Sequence, residues 1–383
     1  MPTNKKSPAI NLKRLFLENG IDTGFLYIAM GLIVIGCIML ISTSAVIGFS
    51  SFNDSYYFIK KHGLFLLIGT IFLLAGLVIP NELYKKYAIQ GLFFSTILVL
   101  CPFLPIIGIK AGGANRWVDI GLFNLQPVEV AKFFIIVFVS TSLAHKKELI
   151  RDFKKGVLPI LVMVCLPILA LLKQPDLGNA ILILVITLTM LFINGMRIEQ
   201  IVILILSGVM LLTANILLHS YQLQRILSFI SPWKDPLGRN YHIIQSFIAI
   251  GSGGFFGLGL GQSKLKFFYL PLHYSDFIFS IVCEEGGFIL ALIVLGLFVG
   301  LFYKGINIAI KSKDRFSFNL AIGLTLLLVI QALINICVVI GLFPITGIPL
   351  TFISFGGSSF VTSMFCVGVM LNISKFSKRK KQQ

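Results

Sequence analysis

GFLYIAMGLIVIGCIMLISTSAVI, residues 24–47, runs its whole length without one charged side chain. A helix needs about 17–25 mostly apolar residues to cross a hydrocarbon core about 30 Å thick, so this stretch reads as a membrane-spanning helix. It is too long for a cleaved secretory leader and lacks the small-residue cleavage pattern. Nine further apolar segments follow, at 62–80, 88–107, 127–144, 157–172, 179–194, 198–218, 286–308, 319–341 and 354–372. The join Asn194–Arg197 makes 179–218 a helical pair rather than one long span. The expected fold is an all-α polytopic membrane protein of about ten transmembrane helices. An odd number of spans requires one of the weaker segments to be re-entrant.

Composition points the same way. Of 383 residues, 57% are hydrophobic and 12% charged, whereas a soluble domain carries about 25% charge. The net charge of +17 invites a nucleic-acid reading. However, the basic residues sit between apolar segments, where the positive-inside bias and lipid headgroups account for them, so no nucleic-acid partner is expected. With ten spans, 21 Lys or Arg fall on the side of the termini and 10 on the other, with Lys132 inside a helix. That asymmetry places both termini in the cytoplasm. The chain then divides into a basic tail at 1–23, a membrane domain at 24–372 with a large outer loop at 219–285, and a basic tail at 373–383. The six cysteines lack metal-ligand spacing and read as small hydrophobes.

The outer loop at 219–285 is too long for a mere connector. Within it, IIQSFIAI at 243–250 reads as a short interfacial helix. The glycines between Gly251 and Gly261 read as a run permitting close helix or lipid contact. No strand precedes that run and no GK[ST] follows, which excludes a nucleotide loop. Next comes KFFYLPLHYSDFIFSIVCEE, residues 266–285, with Asp276 among aromatic residues and Glu284 and Glu285 at the mouth of a span. A charge at a membrane boundary costs desolvation energy, which favours a functional role; a helix cap or a partner for an arginine is the structural alternative. Were 276–285 one continuous helix, Glu284 would be turned by roughly 80° and displaced by about 12 Å from Asp276. Paired glycosidase carboxylates sit closer, about 5–9.5 Å apart. The spacing therefore points to one general base, Asp276, with Glu284 and Glu285 orienting or structural. His273 reads as interfacial.

Other polar residues gather at the same end. Pro127 suits a first helical turn, so Glu129 and Lys132 fall at i,i+3 on one face. They form either a structural ion pair or a pair opening onto a site with Arg116, whose planar fork suits phosphate oxygens. Lys173 and Asp176 in KQPDLG form a turn and helix start, or contribute to binding. Arg225 adds basic character to the outer loop. The stretch 335–359 joins Asn335 to Pro344, Gly347, Pro349, Gly356 and Gly357. It reads as a broken or re-entrant segment, tolerated only against protein or a wet cavity. Ser354, Ser358 and Ser359 either satisfy its freed backbone groups or line that cavity.

GANRW, QPVEVAK, KQPDLG, YLPLHYSDFIF with the following glutamates, and ITGIPL with FISFGGSS together resemble the SEDS family of bacterial shape, elongation, division and sporulation proteins. The resemblance runs from about residue 20 to 372, and the 232–271 run is more similar to the family's division branch than to its elongation branch. Departures from the family pattern are Val128 for a serine, Leu272 for an acid, Gly286 for a leucine, and Thr351 and Phe355 in the last motif. The resemblance implies a peptidoglycan glycosyltransferase that polymerises lipid II into β-1,4-linked glycan during septal wall synthesis. It implies that Asp276 deprotonates the acceptor hydroxyl and that Arg116 and Lys132, the latter held by Glu129, meet the diphosphate. Lys173, Asp176, Arg225, Glu284, Glu285 and Ser358 complete the expected substrate-binding set. A divalent cation, Mg or Mn, is implied without assigned ligands, and no organic cofactor. The implied partners are a class B penicillin-binding protein transpeptidase and other divisome membrane proteins, at the septal cytoplasmic membrane. A lipid-precursor flippase or other transporter and a noncatalytic division scaffold are the alternatives. The lack of an internal repeat weighs against the transporter.

Overall fold

The computed structural model describes residues 20–111, 114–121, 123–218, 223–224, 227, 229–236, 238, 240–263 and 275–379. In chain order these form α1 (Thr23–Phe52), α2 (Tyr57–Val78), α3 (Asn81–Lys86) and α4 (Ala88–Leu100). Three short strands follow, β1 (Gly108–Ala111), β2 (Ala114–Asp119) and β3 (Asn124–Leu125). Then come α5 (Pro127–Lys146), α6 (Leu158–Lys173), α7 (Leu177–Ile193), α8 (Ile198–Leu218), α9 (Tyr241–Gly253), α10 (Ile278–Ile310), α11 (Arg315–Val339) and α12 (Gly357–Arg379).

Among the described residues, seven helical stretches are long and apolar enough to cross a membrane. These are Thr23–Ala45, Tyr57–Val78, Pro127–Lys146, Phe153–Lys173, Ile278–Ile310, Arg315–Val339 and Gly357–Lys375. Three shorter apolar helices, Ala88–Phe103, Leu177–Ile193 and Ile198–Met210, account for the remaining segments expected from sequence. The most apolar windows of α11 and α12 are 78% buried and that of α5 72%, against 28% for α10. These three helices therefore form the interior, and the others ring it. Leu320, Leu324 and Leu328 of α11 and Cys366 and Met370 of α12 are fully sealed in that core. Ring residues such as Leu67, Ile71 and Leu206 present their side chains outward, as helices facing lipid must.

At one end of the bundle Asp22 caps α1, approaches Lys304 of α10 at 3.7 Å, and donates its backbone N–H to Ser374 of α12 at 3.1 Å. The opposite end is less regular. Here the chain forms a three-stranded antiparallel sheet, β1-β2-β3, where sequence reading gave only a loop. Strands of two to six residues are too short to show a period-two pattern.

The helix α9 falls where the 243–250 helix is expected. The helix α10 begins at Ile278, so Asp276 lies in the turn before it and not within a continuous 276–285 helix. It is also broken at Gly287, which has φ 66° and ψ −169°. A break frees backbone groups, and in a membrane these need protein partners. The glycine run supplies them. Leu258 and Gly259 donate to the carbonyls of Glu284 and Glu285 at 2.9 and 3.0 Å. In return, Phe288 and Ile289 donate to the carbonyls of Gly254 and Phe255 at 2.9 and 3.3 Å. The approach is so close that a Cβ on Gly257 would overlap the Glu285 carbonyl oxygen.

Gly257→Ala combines that overlap with a φ of +78°, whereas a Cβ on Gly296 meets nothing within 4 Å. Gly257→Ala is expected to destabilise the protein by more than about 1–3 kcal/mol, the cost of a non-glycine residue in this region, with the clash added. Gly296→Ala should leave stability unchanged or slightly raised. Thermal unfolding of the detergent-purified variants checks both, and equal midpoints would remove the glycine run from the packing account.

Candidate functional site

Asp276 sits half-buried at the irregular end of the bundle, and its neighbours are tied down from two directions. Asn335, buried in α11, donates its amide to the Asp276 carbonyl and to the Ile348 carbonyl, both at 2.8 Å. The Ser354 hydroxyl accepts from the Leu350 N–H at 2.8 Å and donates to the Ser275 carbonyl at 2.5 Å. The loop between α11 and α12 thus lies directly against the Ser275–Phe277 turn. The expected role of Ser354 in satisfying freed backbone groups matches these bonds. His242 of α9 stacks on Phe277, with ring centroids 6.0 Å apart and planes 17° from parallel. Burial pushes its imidazole below the usual histidine value. Sequence reading did not single out His242, whose stacking on Phe277 depends on how α9 folds back.

Arg116 comes from β2. Its Nε donates to the Gln174 carbonyl at 3.3 Å and its Nη2 to the Pro175 carbonyl at 2.5 Å. The KQPDLG turn therefore holds the guanidinium from one side. Gln174 is itself buried and bonded to the Val99 carbonyl, which ties this turn to α4. On its other side Arg116 faces Gly347. A Cβ built on Gly347 would lie 3.8 Å from Asp276 Oδ2 and 4.0 Å from Arg116 Nη1. One glycine, at φ +73°, thus has the carboxylate and the guanidinium on the same face. The α7 terminus closes in from behind, since a Cβ on Gly178 would be 2.8 Å from the Thr346 side chain.

The remaining sequence-designated residues divide by burial. Lys173, the last residue of α6, is exposed at this end. Asp176 is 1% exposed and caps α7, accepting from the Asn179 N–H at 3.4 Å and Nδ2 at 2.9 Å. Lys132 is 1% exposed, with Nζ 2.8 Å from Glu129 Oε1 and 2.6 Å from Gln331 Oε1. That placement favours the structural ion pair over direct ligand contact. Gln331 passes the link on, donating to the Pro349 carbonyl at 3.3 Å and to Ser359 Oγ at 3.0 Å. Ser358 is buried and pins the entry to α5, accepting from the Gln126 N–H at 3.0 Å and donating to the Asn124 carbonyl at 3.3 Å.

Glu284 and Glu285 are buried away from this glycine, at the break in α10. Ser42 of α1 donates to Glu285 at 2.7 Å, the Ser263 N–H donates to Glu285 at 3.3 Å, and the Ser263 hydroxyl donates to Glu284. The two acids thus bind α1 and the glycine run to α10, a structural task. Arg225, His273 and the 266–274 part of the aromatic stretch lie outside the described residues. Among the described residues, no three His, Cys, Asp or Glu side chains come together to hold a metal ion.

The model of the cell cycle protein family of FtsW, RodA and SpoVE matches residues 22–379. The chain is 39% identical to the probable peptidoglycan glycosyltransferase FtsW of Trichlorobacter lovleyi, over 95% of each chain. It is 40% identical to the stage V sporulation protein E of Bacillus subtilis, over 93% of this chain and 98% of that protein. Among solved structures, it is similar to a chain from a study of the structural coordination of polymerization and crosslinking by a peptidoglycan synthase complex. That match has a TM-score of 0.78 and 22% identity, over 94% of this chain and 99% of that one. The rod shape determining protein RodA of Thermus thermophilus follows at a TM-score of 0.67 and 21% identity, over 95% and 98%. The chain belongs to the FtsW, RodA and SpoVE family and has its fold.

The sealed ion pair carries its own prediction. Lys132→Met leaves Glu129 buried without a countercharge and is expected to cost about 3–5 kcal/mol. Adding Glu129→Gln should recover most of that loss, because a buried pair replaced on both sides is often neutral. Chemical or thermal unfolding of single and double variants checks the pattern; an unchanged single variant would mean that the carboxylate reaches water.

Proposed function

We propose that this family member is a peptidoglycan glycosyltransferase that polymerises lipid II into β-1,4-linked glycan, with Asp276 as the general base. The observation that carries the reading is the approach of Asp276 and Arg116 to one face of Gly347. A transfer from a diphosphate-linked sugar needs two things close together, a base for the attacking hydroxyl and positive charge for the departing diphosphate. The relatives named peptidoglycan glycosyltransferase support the activity.

In the proposed reaction an Asp276 carboxylate oxygen accepts the proton of the acceptor sugar's 4-hydroxyl. The acceptor's 4-oxygen attacks the donor's anomeric carbon in line, a new C–O bond forms, and the bond to the diphosphate breaks. The leaving diphosphate takes the electron pair, and Arg116 with exposed Lys173 meets its charge. The guanidinium is already oriented by two backbone carbonyls, so little reorganisation is needed when charge develops. Glu129, Lys132, Asp176 and Ser358 support this arrangement through buried hydrogen bonds, and Arg225 adds positive charge in the outer loop. Glu284 and Glu285 hold the broken helix on which the Asp276 turn is mounted. A divalent cation finds no protein cage among the described residues, and no step here is routed through one.

The same reading places the chain in a bacterial cytoplasmic membrane at the division septum, with both termini cytoplasmic. Its expected partners are a class B penicillin-binding protein, which would crosslink the strands it makes, and other divisome membrane proteins. The likeness to a chain studied for polymerization and crosslinking in one complex supports a crosslinking partner.

Purified protein with its cognate transpeptidase and lipid II tests the assignment. Wild type should form glycan, while Asp276→Asn and Asp276→Ala should lose about 10²–10⁴-fold in rate, the usual contribution of a positioned base. Arg116→Ala should lose about 10²-fold through kcat. Full polymerisation by folded Asp276 variants would sink the base assignment. Transbilayer movement of lipid II without polymer, in wild type, would favour a transporter.

A further inference from the structure

Gln331 and Asn335 stand one turn apart on the same face of α11, and both are buried, at 2% and 1% exposure. Burying an amide side chain in the core of a membrane bundle is expensive, and hydrogen bonds from its donors offset part of that cost. Here the donors go to consecutive carbonyls of one irregular loop. Asn335 grips Ile348 and Gln331 grips Pro349. Each amide also has a second bond. Asn335 reaches the carbonyl of Asp276 itself, and Gln331 reaches Ser359 at the start of α12. Behind them the Gln331 oxygen accepts from Lys132, which is locked to Glu129.

We propose that Gln331 and Asn335 are positioning residues that hold Asp276 and the Gly347 face in register for the reaction. This rests on the function proposed above. The buried ion pair on α5 orients Gln331, and the two amides together set where the 348–349 backbone lies. The loop in turn sets the height of Gly347, one residue before Ile348, beside the carboxylate and the guanidinium. Asn335 donates both to this loop and to the residue that carries the base, so one side chain couples the two. A hydrophobic side chain of equal size would fill the same volume but leave three carbonyls without these donors, so packing does not explain the pair.

Asn335→Asp keeps the shape and removes both donors. Gln331→Glu keeps the acceptor for Lys132 and removes the donors to Pro349 and Ser359. With lipid II as substrate, Asn335→Asp is expected to lower kcat by about 100-fold, the scale of a misplacement of about 1 Å, while KM changes by less than about twofold. Gln331→Glu should lower kcat by about 10-fold with the same split. A loss confined to KM, or no loss, would overturn the proposal.

A second readout does not need catalysis. Hydrogen exchange in the full-length detergent-purified protein should speed up at the Leu350, Ile353 and Ser354 amides by at least about 10-fold in Asn335→Asp, with the α11 core unchanged. Unchanged exchange at these amides overturns the proposal whatever the activity. If the substitution changes exchange as expected but the wild type makes no glycan, the proposed function is refuted and the coupling stands. Should Asn335→Asp fail to fold, Asn335→Ser, which keeps one donor, carries both measurements.

Discussion

Backbone that leaves the helix inside a membrane has to find its hydrogen-bond partners in the protein, and the irregular end of this bundle is built around that requirement. Between α11 and α12 the chain runs without regular structure from Thr346 to Phe355, yet Ile348, Leu350, Phe352 and Ile353 along it are almost completely buried. Its carbonyls and amides are met by side chains of Gln331, Asn335 and Ser354. Each of these side chains also bonds outside the loop, to Lys132 and Ser359, to Asp276, or to Ser275. Satisfying the loop therefore also positions the acid. One set of hydrogen bonds serves folding and the site together.

The break in α10 meets the same requirement by a different route. Instead of side-chain amides it uses a second backbone, the glycine-rich turn after α9, which exchanges hydrogen bonds with both sides of the gap. Only residues without a Cβ permit an approach this close, which gives the glycine run a physical role without any ligand. The buried carboxylates of Glu284 and Glu285 then join this turn to α1 through Ser263 and Ser42. The turn bearing Asp276 is thus mounted on a helix whose first segment is held separately from the remainder of the span.

Much of the helical framework was legible because twenty-residue apolar runs carry a strong signal, and each of the ten expected segments has a helix. The i,i+3 spacing likewise made the Glu129–Lys132 pair readable, since neighbours on one helix turn need no knowledge of the fold. What the sequence could not convey was convergence. Arg116, Asp276 and Gly347 are separated by 160 and 71 positions, and no periodicity links a strand residue to a turn residue over such intervals. The small sheet that aims Arg116 was missed because its strands are too short to show alternation. The continuous-helix geometry used to separate Asp276 from Glu284 also differs from what forms, because α10 starts after Asp276 and breaks at Gly287. In the structure both glutamates are engaged at the break through Ser42 and Ser263.

Lys132 and Arg116 illustrate why charge alone does not identify a ligand contact. Both are cations near the same loop, and sequence reading grouped them. Lys132 has a carboxylate at 2.8 Å and an amide oxygen at 2.6 Å within a sealed interior, so delivering its ammonium to a substrate would strand Glu129. Arg116 is held by two neutral backbone carbonyls and shares the Gly347 face with the Asp276 carboxylate. A cation that must answer charge developing on a leaving group has to be fixed in place and still electrostatically available. In the proposed function the arginine takes that part, while the lysine is tied to the loop through Gln331.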